Sequence, residues 1–297
     1  MGMEILTLGR WLRRRFGHRV IKIPLDAGMT CPNIDGTKST GGCAFCDNRA
    51  FSPVTRAAGQ SGHRPSIADQ LQSGMAGASD TTRFIAYFQA HTNTYSDPDK
   101  LDALWRDALA VSDRIIGLAV GTRPDCVSDA VIERLERLAD EGWHVWLELG
   151  LQSVHDAKHE GLNRCYATDD FDSAIARAAG RGVFLCAHLI FGLPGETRSD
   201  MLASVSHLAA LPLDGVKFHQ LQIIRDTALA ERYAREPFPL LEPDEYASLV
   251  ADAIRILPPS MVIQRFMADA PAESLIAPVW RVSKSEMLEK ILTQLAG

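Results

Sequence analysis

The sequence predicts an α/β protein built as a partial (β/α)6 TIM-like barrel with a short C-terminal extension. Two patterns predict it. Short apolar runs alternate six times with segments of helical periodicity, each pair taking about 30 residues or more, the span of a parallel strand and its crossover helix. The apolar runs are also too continuous to leave either face in water, as in a sheet covered by helices. Six units stop short of the eight of a full barrel. No low-complexity tract or long linker divides the 297 residues. The expected organisation is a basic N-terminal helix over 1–17, a core barrel over 18–257, and a strand and helix extension over 258–297.

Taken in order, residues 4–17 read as a helix with Leu6, Leu8, Trp11 and Leu12 apolar, and 19–25 (RVIKIPL) as the first strand. A glycine-rich loop follows. Ser66 is a natural N-cap for the next helix. A second strand is expected over 84–89, and a helix over 97–109 with Pro98 in its first turn. A third strand spans 115–121. The helix over 128–140 carries Val131, Ile132, Leu135 and Leu138 at helical spacing. Strands over 144–151, 183–191 and 215–222 alternate with helices over 170–181, 197–211 and 243–256. A last apolar run, 261–266, and an amphipathic helix near 285–295 form the edge extension.

Composition narrows the setting. Nearly half the chain is hydrophobic (46%), enough for a large core, yet no run of 18 apolar residues suggests a membrane span. The N-terminus has basic residues but no apolar stretch or small-residue cleavage site of a secretory signal. Six cysteines in such a chain suggest reduced thiols and metal ligation, and a cytoplasmic protein. The net charge of −6 disfavours a broad nucleic-acid-binding surface. Locally, however, Arg10, Arg13, Arg14, Arg15, Arg19 and Lys22 crowd the first 25 residues, interleaved with Trp11, Phe16 and His18. Such a patch can hold phosphates, or it can be the solvated face of a helix.

The chemistry concentrates in 30–46, TCPNIDGTKSTGGCAFC. Cys31, Cys43 and Cys46 are spaced C-x11-C-x2-C among Gly36, Gly41, Gly42 and Pro32, a composition for a loop that wraps something. Glycines allow backbone amides to approach the sulfurs of an iron–sulfur cluster. Three thiolates on a 4Fe–4S cluster leave one iron open, whereas a structural zinc or an electron-transfer cluster wants four ligands. A Cys3His zinc site completed by His18, His63 or His91 is the alternative. Cys126, Cys165 and Cys186 lack ligand-like spacing and are expected to be ordinary thiols.

In a barrel of this class, functional groups gather at the C-terminal ends of the strands. On the fourth strand, alternation sends Trp146, Glu148, Gly150 and Gln152 to one face, and Val145, Leu147, Leu149 and Leu151 to the other. A buried Glu148 needs a partner, either a salt bridge or a ligand in the cavity. After the third strand comes Gly121-Thr122-Arg123-Pro124-Asp125, where Asp125 can cap the following helix and Arg123 can meet an anion or pair with Glu148. The fifth strand ends in His188-Leu189-Ile190-Phe191-Gly192-Leu193-Pro194-Gly195-Glu196-Thr197. Thr197 there is a ready N-cap.

The cysteine loop, G-T-R-P-D, E-L-G-L-Q-S and H-L-I-F-G-L-P-G-E-T, in that order, resemble the radical S-adenosylmethionine (SAM) superfamily. The resemblance is strongest to its YhcC-type group, related to the radical SAM domain of Elongator-type proteins, and covers about 18–265. It implies a [4Fe-4S] cluster on Cys31, Cys43 and Cys46 and the reductive cleavage of SAM, with an external low-potential electron donor. It implies SAM or substrate contacts from Thr122, Arg123, Asp125, Glu148 and Gln152, and from His188, Gly192 and Leu193, where backbone passes the adenine. In place of the Gly-Gly-Glu that many members use for the SAM amine, this chain reads Gln89-Ala90-His91-Thr92-Asn93-Thr94-Tyr95. Gln89 is a cofactor-binding candidate, and which group holds the amine stays open. Relatives' Asn-Arg-Gly-His becomes Asn163-Arg164-Cys165-Tyr166. The resemblance implies a tRNA wobble-uridine side chain as substrate, with the N-terminal arginines on tRNA phosphates; a small metabolite is the alternative, and a zinc-structured binding module or an electron-transfer protein are others. The acetyl-transfer activity of Elongator-type proteins is not expected.

Overall fold

The computed structural model describes residues 5–296. Glu4, where the first helix is expected to begin, and Gly297 lie outside the described residues. The strands are β1 (Val20–Leu25), β2 (Arg83–Phe88), β3 (Ile115–Thr122), β4 (His144–Gln152), β5 (Phe184–Phe191), β6 (Gly215–Gln220), β7 (Ile223–Ile224), β8 (Val262–Arg265) and β9 (Leu275–Ala277). One seven-stranded sheet runs β1-β2-β3-β4-β5-β6-β8, and β7 with β9 makes a small separate ribbon. Every pairing in the large sheet is parallel.

The sheet curls into a partial barrel. Lys22 on β1 reaches both Glu148 on β4 (2.5 Å) and Gln264 on β8 (2.7 Å), so the first, middle and last strands share one interior. The run expected at 261–266 as an edge extension is the seventh strand of this sheet, with Val262 N–H donating to Asp214 O at 2.8 Å. Its four residues are too few for a periodicity argument, and only pairing with β6 defines it.

The helices are α1 (Leu8–Phe16), α2 (Asn48–Phe51), α3 (Pro53–Ser61), α4 (Ile67–Met75), α5 (Pro98–Leu109), α6 (Asp129–Asp140), α7 (Thr168–Ala178), α8 (Arg198–Ala209), α9 (Ala228–Arg235), α10 (Pro243–Ile256) and α11 (Lys284–Ala296). The expected caps form: Ser66 and Asp69 close a capping box on α4, Asp97 caps α5 ahead of Pro98, and Thr197 caps α8. Asp125 does not cap α6; Ser128 does, leaving Asp125 in a short 3-10 turn. None of the helices among the described residues is long and apolar enough to cross a membrane.

Period-two alternation divides the core. Val145, Leu147, Leu149 and Leu151 of β4 face the outer helices, while Trp146 joins Ile85, Ala119, Cys186 and Val262 inside the barrel. The end of the barrel at the strands' N-termini is stoppered by α1. Before that helix the chain pairs with β8 through Thr7 and Ile263, and after it the chain enters β1. Leu12 is 2% exposed beneath it. Trp11 packs against His144, Trp146 and Phe184, with ring centroids 5.2–5.5 Å apart. The opposite end is left to loops, and the site lies there.

Candidate active site

The cysteine loop leaves β1 and stays irregular up to α2. Gly36, Gly41 and Gly42 all take positive φ (78–88°), a conformation that disfavours side chains and explains the glycine spacing. The loop is tied down from across the barrel. Asn163 Nδ2 donates to the carbonyls of Thr40 (3.1 Å) and Gly42 (2.7 Å), and Ser39 Oγ donates to Asn163 Oδ1 (2.8 Å). Asn33 Nδ2 reaches back to the carbonyls of Asn163 and Arg164. The Asn163-Arg164 pair thus fixes the loop's shape.

Cys31, Cys43 and Cys46 line one cavity of about 470 Å³ at the open end of the barrel. Each sulfur has a side-chain N–H donor beside it: Arg123 Nη1 for Cys31 (4.0 Å), Asn33 Nδ2 for Cys43 (3.6 Å) and Asn48 Nδ2 for Cys46 (3.9 Å). Asn48 is aimed by His91, whose backbone N–H donates to Asn48 Oδ1 at 2.9 Å. Burial raises the Cys43 thiol to about 11, so a thiolate there needs a cation. Among the described residues, no three His, Cys, Asp or Glu side chains converge closely enough to hold a single metal ion. Three thiols lining one cavity, each with an N–H donor at its sulfur, fit the ligand set of a 4Fe–4S cluster that keeps one iron open. Of the histidines considered for zinc, His91 lines the cavity, but His18 and His63 are exposed and outside its wall.

The sequence-predicted residues divide into two groups. Gln89, Thr122, Arg123, Gln152 and His188 line the cavity with the cysteines. Arg123 does not pair with Glu148; it makes a two-pronged contact to Asp125 (2.9 and 3.0 Å) and stacks over Tyr166. Gln152 sits at φ 66°, just past a shift in the β4–β5 register. A Cβ at Gly150 would strike the Gln152 amide, so a larger residue there would displace that side chain.

Glu148, Asp125, Gly192 and Leu193 do not reach the cavity wall. Asp125 is spent on Arg123 and on Lys38 (2.6 Å). Leu193 is 2% exposed in a small apolar cluster with Ala44 and Leu221, and Gly192 N–H faces Met201 Sδ. Glu148 lies one layer below the floor, fully buried. It takes an ion pair from Lys22, another from Lys217 and a hydrogen bond from His188 Nε2 (3.1 Å). Burial opposes its ionisation, but the two lysines outweigh that and hold the carboxyl well below its usual range. Its position is that of a positioning residue for Lys217 and His188.

Sequence reasoning passed over Lys217, His219, Arg265, Tyr87 and Tyr166, all of which line the cavity, and the donors Asn33 and Asn48. For Lys217 and His219 the signal was present: Gly215, Lys217 and His219 alternate with Val216 and Phe218, the same pattern that exposed Glu148. Lys22 is not part of the surface patch but an interior cation. Arg10, Arg13, Arg14, Arg15 and Arg19 are exposed around the stoppered end, with Arg15 over the Phe184 ring at 5.0 Å. Of the remaining thiols, Cys186 is buried inside the barrel, Cys126 half-buried and Cys165 exposed.

A curled parallel sheet with three cysteines on one loop at its open mouth defines the class: a radical SAM enzyme. Residues 35–208 match the radical SAM superfamily and 213–296 the radical SAM C-terminal domain, and the chain belongs to that superfamily. Within it, the chain falls in the YhcC-type group, related to Elongator proteins. It is 37% identical to the protein YhcC of Escherichia coli over 91% of this chain and 85% of that one. It is 25% identical to the tRNA uridine(34) acetyltransferase of Methanocaldococcus infernus over 60% of this chain, which is 33% of that protein. Among solved structures, the archaeal Methanocaldococcus infernus Elp3 with an N-terminal deletion has the same fold, with a TM-score of 0.65 at 18% identity, covering 93% of this chain and 63% of that one.

Proposed function

We propose that this radical SAM enzyme modifies the side chain of a tRNA wobble uridine. The observation that carries the reading is the relationship to a tRNA uridine(34) acetyltransferase. The cavity supports it. Phe45, Phe51 and Tyr166 offer apolar and aromatic surface for a flat base, and Tyr166 is itself held between the guanidiniums of Arg123 and Arg164.

In this reading Cys31, Cys43 and Cys46 hold the cluster. When bound, the cluster supplies the electron that cleaves SAM to methionine and a 5′-deoxyadenosyl radical, which takes a hydrogen atom from the substrate. The chain's own residues orient and protect. Gln89, Thr122, Arg123, Gln152 and His188 contact SAM, since they line the same cavity as the cysteines. Burial lowers the His188 ring to about 4, so it stays neutral at pH 7, donating through Nε2 to Glu148 and presenting Nδ1 as an acceptor. The arginines around α1 contact phosphates of a stem lying along the outside of the barrel, since they are at the far end from the nucleotide's cavity.

The test uses reconstituted enzyme, SAM, dithionite and tRNA from a strain lacking the gene. The proposal expects 5′-deoxyadenosine to rise above the tRNA-free background. It also expects salt-dependent tRNA binding. Replacing Arg13, Arg14 and Arg15 with Gln should make that salt dependence shallower, by about one in slope for each phosphate these arginines neutralise. Deoxyadenosine indifferent to tRNA, with no salt-dependent binding, refutes the tRNA reading and favours a small metabolite.

A further inference from the structure

Inside the barrel the side chains form layers, because parallel strands in register place inward residues at equal heights. The lowest layer is apolar, around Trp146. Glu148, Cys186 and Gly215 are register partners in the next. Above them, Gly150, His188, Lys217 and Arg265 are partners across β4, β5, β6 and β8. This third layer is the cavity floor.

Its charges do not balance. Three cations, Lys22, Lys217 and Arg265, face a single buried carboxylate, Glu148, which is already shared between the two lysines. Lys22 is further held by Gln264, and Lys217 by the Tyr87 hydroxyl at 2.9 Å. Arg265 lines the cavity and, among the described residues, has no hydrogen-bond or ion-pair partner. One layer higher, His219 stacks on His188 with centroids 5.8 Å apart, and its buried Nε2 also lacks a partner. Arg265 is half-buried, with a guanidinium that lines the cavity, and the buried ring nitrogen of His219 is costly to leave unmatched, so a ligand can complete both. A guanidinium's planar fork matches a carboxylate or a phosphate.

We infer that the cavity floor is a binding site for an anionic group, carboxylate or phosphate, on the molecule the enzyme acts upon, with Arg265 as its main contact and Lys217 and His219 beside it. The site lies on β6 and β8, strands other than the β1 that leads into the cysteine loop, and in this inference the anion and SAM share the cavity. The assignment holds whether the anion belongs to a modified base or to a small metabolite.

Equilibrium dialysis of the reconstituted protein at pH 7, with labelled inorganic phosphate in one arm and labelled malonate in the other, tests it with and without SAM. Saturable binding of one equivalent of either probe, retained with SAM bound, is expected; the arm that binds identifies the anion class, and binding of both supports a shared site. Arg265→Gln should weaken that binding by about 10- to 100-fold, as expected for losing hydrogen bonds to a charged group. Arg265→Lys should retain much of it, which separates lost charge from lost fold. Neither probe binding saturably, or Arg265→Gln binding like the unaltered protein, overturns the inference. So does displacement of the probe by SAM together with weakened SAM binding in Arg265→Gln, since Arg265 would then serve the SAM carboxylate. The tRNA reading fails separately, by deoxyadenosine formation that ignores tRNA.

Discussion

The two ends of the barrel are built on opposite principles. At the closed end, α1 lays Trp11 and Leu12 against Trp146 and Phe184, apolar surfaces that need only be pressed together. At the open end there is little regular structure. Glycines in left-handed conformations, asparagines bridging loops and N–H groups beside sulfurs hold the shape instead. Between them lies the salt-bridged layer around Glu148. The contrast shows where stability and chemistry reside: the stopper and helices keep the fold, which frees the mouth to carry groups that would destabilise a core.

The middle layer can be broken most severely. Glu148→Gln leaves Lys22 and Lys217 without their buried counter-charge and should destabilise the protein by about 3–5 kcal/mol, read from denaturant midpoints. Unchanged stability with a specific loss of SAM turnover would move Glu148 from the supporting layer to the cofactor.

The closed end should respond to acid. Burial, then Arg15 and Lys22, lower the His144 ring to about 3, and its Nε2 accepts from the Trp146 indole at 2.7 Å. The unfolded ring takes a proton near 6.5, the folded one only near 3. Stability from this site is therefore complete above pH 6.5 and is lost as pH falls. Between about pH 6.5 and 5, His144→Gln should show a slope of stability against pH shallower by about one proton. Equal slopes would mean that the ring is not held neutral by the stopper.

The open end should respond in potential and hardly in stability. Asn48→Ala removes the N–H beside Cys46. Because a hydrogen bond to sulfur favours the more negative, reduced cluster, the midpoint should fall by about 20–60 mV in a redox titration followed by electron paramagnetic resonance. An unchanged midpoint would make Asn48 a loop brace for His91 alone.

Much of this division was legible in the chain. Repeated strand–helix alternation predicts the barrel, and β4's period of two separates its inward and outward faces correctly. What escaped did so for physical reasons. The segment 48–61 is polar and contains Pro53 and Gly59, so it reads as loop, although Asp47 and Ser52 cap α2 and α3 there. Arg265 acquires meaning only once strand register sets it beside Lys217, whose own inward face the alternation of β6 already marks. Gly192 and Leu193 follow the family motif, yet here they lie outside the cavity wall, on Met201 and on the cysteine loop's Ala44. Local pattern fixes which face a residue takes, whereas neighbours across the barrel decide what it does.

The central claim is that the mouth, through three cysteines, holds the cluster that cleaves SAM. Its most direct test is anaerobic reconstitution of the unaltered protein beside Cys43→Ala, with iron, zinc and 5′-deoxyadenosine measured on the same samples. The unaltered protein should hold about four irons per chain and form deoxyadenosine from SAM and dithionite, and Cys43→Ala should lose both. Full iron and SAM cleavage in Cys43→Ala, or one zinc and no deoxyadenosine in the unaltered protein, would contradict it.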